Sequence, residues 1–97
     1  MSERSSHFVY VLRCGDDTFY TGYTTDVRRR VREHERGEGA KYTRGRTPLE
    51  LVHVEEHDDR SAAMQREHEI KTFSRERKAR LVGTDSTDAD EAVTALF

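Results

Sequence analysis

Two β-prone runs joined by a turn constrain this chain more than any other feature. Phe8-Val9-Tyr10-Val11-Leu12 and Thr18-Phe19-Tyr20-Thr21-Gly22-Tyr23-Thr24 are rich in β-branched and aromatic residues, the composition of strands. Gly15-Asp16-Asp17 between them is turn chemistry, so the pair reads as an antiparallel hairpin. Each strand then presents a tyrosine, Tyr10 and Tyr20, toward one end of a sheet. Gly22, inside the second run, predicts a bulge or a close approach of backbone. Cys14, the single cysteine, rules out an internal disulfide and sits in an apolar run, where a plain core thiol is expected.

The rest of the chain supplies helices and one more strand. Thr25-Asp26 offers an N-cap and a first-turn acid. Val27, Val31 and His34 then recur at i, i+4 and i+7, a narrow helical stripe. Gly37 and Gly39 stop that helix, and residues 37–48 form a loop with three glycines and a proline. Leu49, Leu51, Val52 and Val54 mark a third strand. Asp58-Asp59 starts a second helix running to about Phe73. Ser74 caps a short third helix, 75–82, closed by Gly83. The order is β-β-α-β-α-α, an α+β fold: a small three-stranded antiparallel sheet flanked by helices. Residues 1–6 read as an N-terminal tail, 7–83 as the domain, and 84–97 as an acidic C-terminal tail with a helical turn at 89–96.

Composition sharpens this. With 97 residues and a 33% apolar share, the chain has room for one domain with a small core. The net charge of -2 does not by itself suggest a nucleic-acid binder. Its distribution matters more: residues 26–46 hold eight basic side chains against four acids, or +4. That makes a local basic surface, although from the charge alone a solvated helix face of mixed sign is the simpler reading. No apolar run approaches the roughly 18 residues of a membrane span, so no membrane partner is expected, and the lone thiol suggests the cytoplasm.

Several polar side chains fall where chemistry needs them. Arg30 lies three residues after Val27 and four before His34, so Arg30 and His34 share one helix face and project beside the tyrosines. An isolated tyrosine is usually a packed aromatic with its hydroxyl at the rim; the combination weakens that explanation. Glu67 has Ala63 and Met64 one turn before it and Ile70 and Lys71 one turn after. An acid on an inward stripe is costly unless paired. It is either in an ion pair with an arginine or a metal ligand, and magnesium can be held by one carboxylate plus phosphate oxygens. Lys41, Tyr42, Arg44 and Arg46 mix cations with an aromatic in the loop, which suits phosphate contacts and base stacking or an ordinary exposed loop. His7, His53, His57 and His68 have no spacing that demands a metal.

Taken in order, these pieces resemble the GIY-YIG nuclease superfamily, in its small single-domain branch. Phe8-Val9-Tyr10 and Tyr20-Thr21-Gly22 look like the two halves of the signature. Arg30 with His34 resembles the helix motif that follows, and Gly39-Ala40-Lys41-Tyr42-Thr43-Arg44 the loop of the small branch. Glu67, ahead of Ile70-Lys71, resembles the metal-binding glutamate. The match spans residues 7–82. Phe8 replaces the first glycine of the signature and Thr21 the central isoleucine; the glutamate stands four residues before the lysine, and the closing asparagine of other branches has no counterpart.

The resemblance implies metal-assisted hydrolysis of a phosphodiester, with Mg2+ or Mn2+ on Glu67. It implies Tyr10 or Tyr20 as the base for the attacking water, its pKa lowered by Arg30 and the metal. Arg30 would grip phosphate oxygens, and His34 would hydrogen-bond a phosphate or a tyrosine hydroxyl. Gly22 would let backbone approach the scissile group, with Tyr23 beside it on the nucleic-acid surface. The partner implied is nucleic acid, DNA before RNA. A module that grips phosphate without cutting is the alternative. So small a chain makes few base contacts, so specificity is expected to be low or to come from a homodimer or protein partner.

Overall fold

The computed structural model describes residues 6–82; the expected tail 84–97 and its helical turn, like most of the N-terminal tail, lie outside them. Strands β1 (His7–Arg13), β2 (Phe19–Thr24) and β3 (Glu50–His57) alternate with helices α1 (Val27–Glu35) and α2 (Arg60–Lys71), and residues 75–82 form the further helix α3. The expected order β-β-α-β-α-α is therefore the one observed.

The sheet is antiparallel throughout, in the order β2-β1-β3. Phe8 pairs with Thr24, Tyr10 with Gly22 and Leu12 with Tyr20. Directly paired residues share a face and neighbours along a strand alternate, so Tyr10 and Tyr20 emerge on one face while Val9, Val11, Phe19 and Tyr23 emerge on the other. The second face carries the apolar core: Val9, Val11 and Val52 pack with Ala63 and Ile70 of α2 and Val82 of α3, with Phe19, Tyr23, Phe73 and Leu81 around them. Burying this one cluster is what holds two helices to the sheet, at roughly 25 cal/mol for each Å² removed from water.

Local chemistry sets the element ends. Asp26 is itself the N-cap of α1, accepting from the Arg29 N–H at 3.1 Å; it was expected as a first-turn acid behind Thr25. Its shorter reach back to the helix N–H groups makes it the better cap. Asp59 caps α2 in the same way (Ala62 N–H, 2.8 Å), and Ser74 caps α3 through the Arg77 N–H. Helix α2 ends at Lys71, with Thr72 as C-cap, two residues short of expectation. The sheet's irregularity falls between Val11 and Leu12 against β3, not at Gly22. Cys14 is a buried core thiol, its pKa raised by burial. Among the described residues, no helix is long and apolar enough to cross a membrane.

Candidate active site

The face opposite the core holds a cluster of four rings. Tyr10 and Tyr20 lie with centroids 6.3 Å apart, as the hairpin register requires. His34, in the last turn of α1, meets both: its ring is 5.7 Å from Tyr10 and 5.1 Å, edge-on, from Tyr20. Tyr42 of the 37–48 loop stacks on the outer side of Tyr20 at 5.9 Å.

A directed hydrogen-bond chain runs through this cluster. The Thr43 hydroxyl donates to the Ala40 carbonyl at 3.0 Å, so its single proton is spent there. At 2.9 Å from His34 Nδ1, Thr43 Oγ1 must therefore accept, which places the imidazole proton on Nδ1. Nε2 is then the lone-pair nitrogen, and Tyr10 Oη donates to it at 2.7 Å. Burial, and next the positive charge of Arg30, push the His34 pKa down to about 4, so the imidazole is neutral at neutral pH.

Two glycines make room for the chain. A Cβ on Gly39 would overlap His34 Nδ1, and one on Gly22 would overlap Tyr10 Oη. The close approach expected at Gly22 is made in this structure by the Tyr10 phenol.

Tyr10 is 1% exposed. Burial raises its pKa well above the ordinary phenol value; the charge of Tyr20 adds to this, Arg30 opposes it, and Glu67 adds to it again. The expected lowering at this tyrosine is corrected: desolvation of a phenolate outweighs one guanidinium. Tyr20 is the half-buried partner and the more accessible phenol.

Arg30 is held between Glu33 (2.9 Å) and the Gly39 carbonyl (3.2 Å). Burial works against its charge, but Glu33 and then the two phenols raise its pKa further. It remains a fixed cation beside both tyrosines. Glu67 lies on α2 between the buried Ala63 and Ile70, with its side chain 13% exposed. Its pair is Lys71 at 3.1 Å, not an arginine, and that lysine is 51% exposed. Met64, counted as an apolar neighbour of Glu67, is exposed. An ion pair with a half-exposed lysine is weak and displaceable, and the Glu67 oxygens are hard ligands of the kind Mg2+ and Mn2+ prefer. Among the described residues, no group of three His, Cys, Asp or Glu side chains is placed to hold a metal ion, so Glu67 is the carboxylate considered for one.

The loop side chains divide. Lys41 and Arg44 are exposed and have no acidic partner among the described residues. Arg46 instead braces the loop: it bonds the Tyr42 carbonyl and Asp16, and its guanidinium lies 4.3 Å over the Tyr42 ring. Tyr23 is a correction. It sits on the core face, its hydroxyl 2.8 Å from His7 Nδ1, because a residue three along from Tyr20 points to the other side of a strand.

Reading the sequence missed Thr43, fully buried and fixing the His34 tautomer. It also missed Glu55, which receives Arg66 on both oxygens (2.9 and 3.0 Å) together with His53 and His57. Thr43 stood inside the loop motif and could have been found there; no spacing in the sequence marks Glu55.

Comparison with known proteins shows the family and the fold. A family model described as the GIY-YIG catalytic domain matches residues 6–80. The chain is 67% identical over 82 residues to a UPF0213 protein of Natronomonas pharaonis, covering 84% of this chain and 96% of that one. It is 52% identical over 77 residues to a UPF0213 protein of Staphylococcus aureus, covering 79% and 94%. Two structures solved by NMR in solution are similar. One is a UPF0213 protein of Bacillus halodurans (48% identity, 84% of this chain and 86% of that one, TM-score 0.56). The other is a protein of E. faecalis (42% identity, 87% and 90%, TM-score 0.58).

Proposed function

The chain belongs to the GIY-YIG family, a nuclease family, and on that footing we propose that it is a metal-dependent endonuclease hydrolysing phosphodiester bonds in DNA, with RNA the second choice. The observation that carries this reading is the convergence of Tyr10, Tyr20, His34 and Arg30 around one hydrogen-bond chain with the imidazole held neutral.

In this reading the two tyrosines divide the work. Tyr20, accessible and edge-on to His34, presents its oxygen to the attacking water as proton acceptor. Tyr10, sealed and donating to His34, is a positioning residue that holds the imidazole, and through it the Tyr20 ring, in one orientation. Arg30, a fixed cation beside both phenols, would grip the phosphate oxygens. Glu67 would hold Mg2+ or Mn2+ together with phosphate oxygens and water, once Lys71 has moved aside. When bound, that ion supplies charge stabilisation for the departing oxygen. Lys41 and Arg44 take the flanking backbone phosphates. The single buried thiol suits a reducing, cytoplasmic setting.

The single carboxylate also fits a second reading, a module that grips nucleic acid without cutting it. A nicking assay on supercoiled DNA with Mg2+ separates the two. The enzyme reading expects wild type to nick, and Glu67→Ala and Arg30→Ala to bind with little loss of affinity while nicking falls about a hundredfold or more. Wild type that binds and never nicks, in Mg2+ or Mn2+, leaves the binding module standing and overturns the enzyme.

A further inference from the structure

Beside the ring cluster lies a second cleft, of about 200 Å³, between the start of β2, the 37–48 loop and α3. Its walls are Thr18, Phe19, Tyr42, Arg75 and Lys78. Two walls are aromatic and two are cationic. Arg75 lies 5.6 Å over the Phe19 ring and donates to Asp17, to its carbonyl at 2.8 Å and its carboxylate at 3.2 Å, an exposed pair that a phosphate can displace. Lys78 has no acidic partner among the described residues. Tyr42 is 41% exposed, an unusual state for a ring that also stacks on a site residue.

Tyr42 links the two places: one ring borders this cleft and stacks on Tyr20. Whatever occupies the cleft is therefore a ring's width from the phenol assigned to the reacting phosphate. Tyr20 and Arg46 lie against the Tyr42 ring and Arg75 over the Phe19 ring, so a base entering the cleft meets ring edges and the Arg75 guanidinium, on which bases also stack, and Lys78 takes the phosphate joined to it. A base stacked inside a duplex cannot reach such a recess; one already unpaired can.

We propose that Phe19, Tyr42, Arg75 and Lys78 form a subsite for one unpaired nucleotide flanking the scissile phosphate, so that the preferred substrate is a strand unpaired at that position: a single strand, a frayed end or a flap. This rests on the nuclease reading above. It also assigns α3 a role in choosing the substrate.

The test measures binding of the full chain in EDTA to a short single strand carrying one 2-aminopurine, and to the same sequence as a blunt duplex. The subsite predicts a change in 2-aminopurine fluorescence on binding the single strand, and an affinity at least about tenfold higher than for the duplex. Lys78→Glu should lower the single-strand affinity by about tenfold and leave duplex affinity within about twofold. Arg75→Gln, a milder change at the same rim, should act in the same direction, with far-UV circular dichroism confirming the fold of each. Equal affinities for strand and duplex, with Lys78→Glu silent, overturn the subsite while duplex nicking in Mg2+ keeps the nuclease reading intact. Failure to bind either nucleic acid overturns both.

Discussion

At the scale of single residues, the account turns on a proton assignment. Thr43 spends its hydroxyl proton on Ala40, and that fixes the His34 tautomer and makes Tyr10 the donor. The same burial that keeps the imidazole neutral has a measurable consequence for stability. An unfolded histidine takes up its proton near pH 6.5, whereas His34 in the folded chain does so near 4. The unfolded state therefore binds more protons between those values, and stability falls as pH drops from 6.5 to 4. The stability at stake is up to about 3 kcal/mol. Chemical denaturation across this range should show that loss in the wild type, and His34→Gln, which cannot titrate, should remove most of it. A wild-type profile flat from pH 6.5 to 4 would show that the imidazole is not sealed.

Much at this scale was readable beforehand and some was not. Tyr10, Tyr20, Arg30 and His34 were placed together by strand register and helix spacing, and the structure brings them together. The same alternation that pairs Tyr10 with Gly22 also turns Tyr23 to the core side, so its misplacement was an error of counting, not of missing information. The direction of the Tyr10 pKa was different in kind. It depends on how completely the phenol is desolvated, and burial is a property of the packed molecule that no spacing encodes.

Among the elements, the caps and strands followed their local chemistry: Asp26, Asp59 and Ser74 each start a helix, and β-branched runs became the sheet. What local chemistry did not reveal is how α2 is fastened to β3. Glu55 points from the core face of β3 and meets Arg66 of α2, with His53 and His57 on its two oxygens. Burial alone would raise its pKa, but the bonds from His53, Arg66 and His57 bring it down to about 2. The contribution of the ionised carboxylate is complete above its ordinary pKa of 4.5 and is lost as pH falls toward 2, a window that meets that of His34 only between pH 4.5 and 4. Because α2 also carries Glu67, this joint sets where the candidate metal ligand stands. Removing one partner strands a half-buried charge, so Arg66→Ala should cost about 2–4 kcal/mol in urea unfolding. The double change Glu55→Leu with Arg66→Met should cost much less than Arg66→Ala alone. Equal losses in both would mean that packing, not the charge pair, holds the helix.

Over the whole molecule, a net charge of -2 conceals a basic edge. Lys41 and Arg44 on the loop stand without acidic partners among the described residues, and Arg30 is fixed beside them at the ring cluster. Arg46, counted in the same group from the sequence, is consumed in bracing Tyr42; charge counting could not tell a free cation from a structural one. Nucleic-acid affinity should fall linearly with salt on logarithmic axes, and the doubly neutralised Lys41→Gln, Arg44→Gln protein should lose about two phosphate contacts from the slope. An unchanged slope in that variant would remove the loop from the interface.

The central claim is that Tyr20 takes the proton of the attacking water at a site organised by Tyr10, His34, Arg30 and Glu67. Single-turnover cleavage in saturating Mg2+, comparing wild type with Tyr20→Phe, tests it most directly. The account predicts a strand-scission rate lowered by about a hundredfold or more, with affinity for the uncut strand preserved. Cleavage by Tyr20→Phe at the wild-type rate would contradict it.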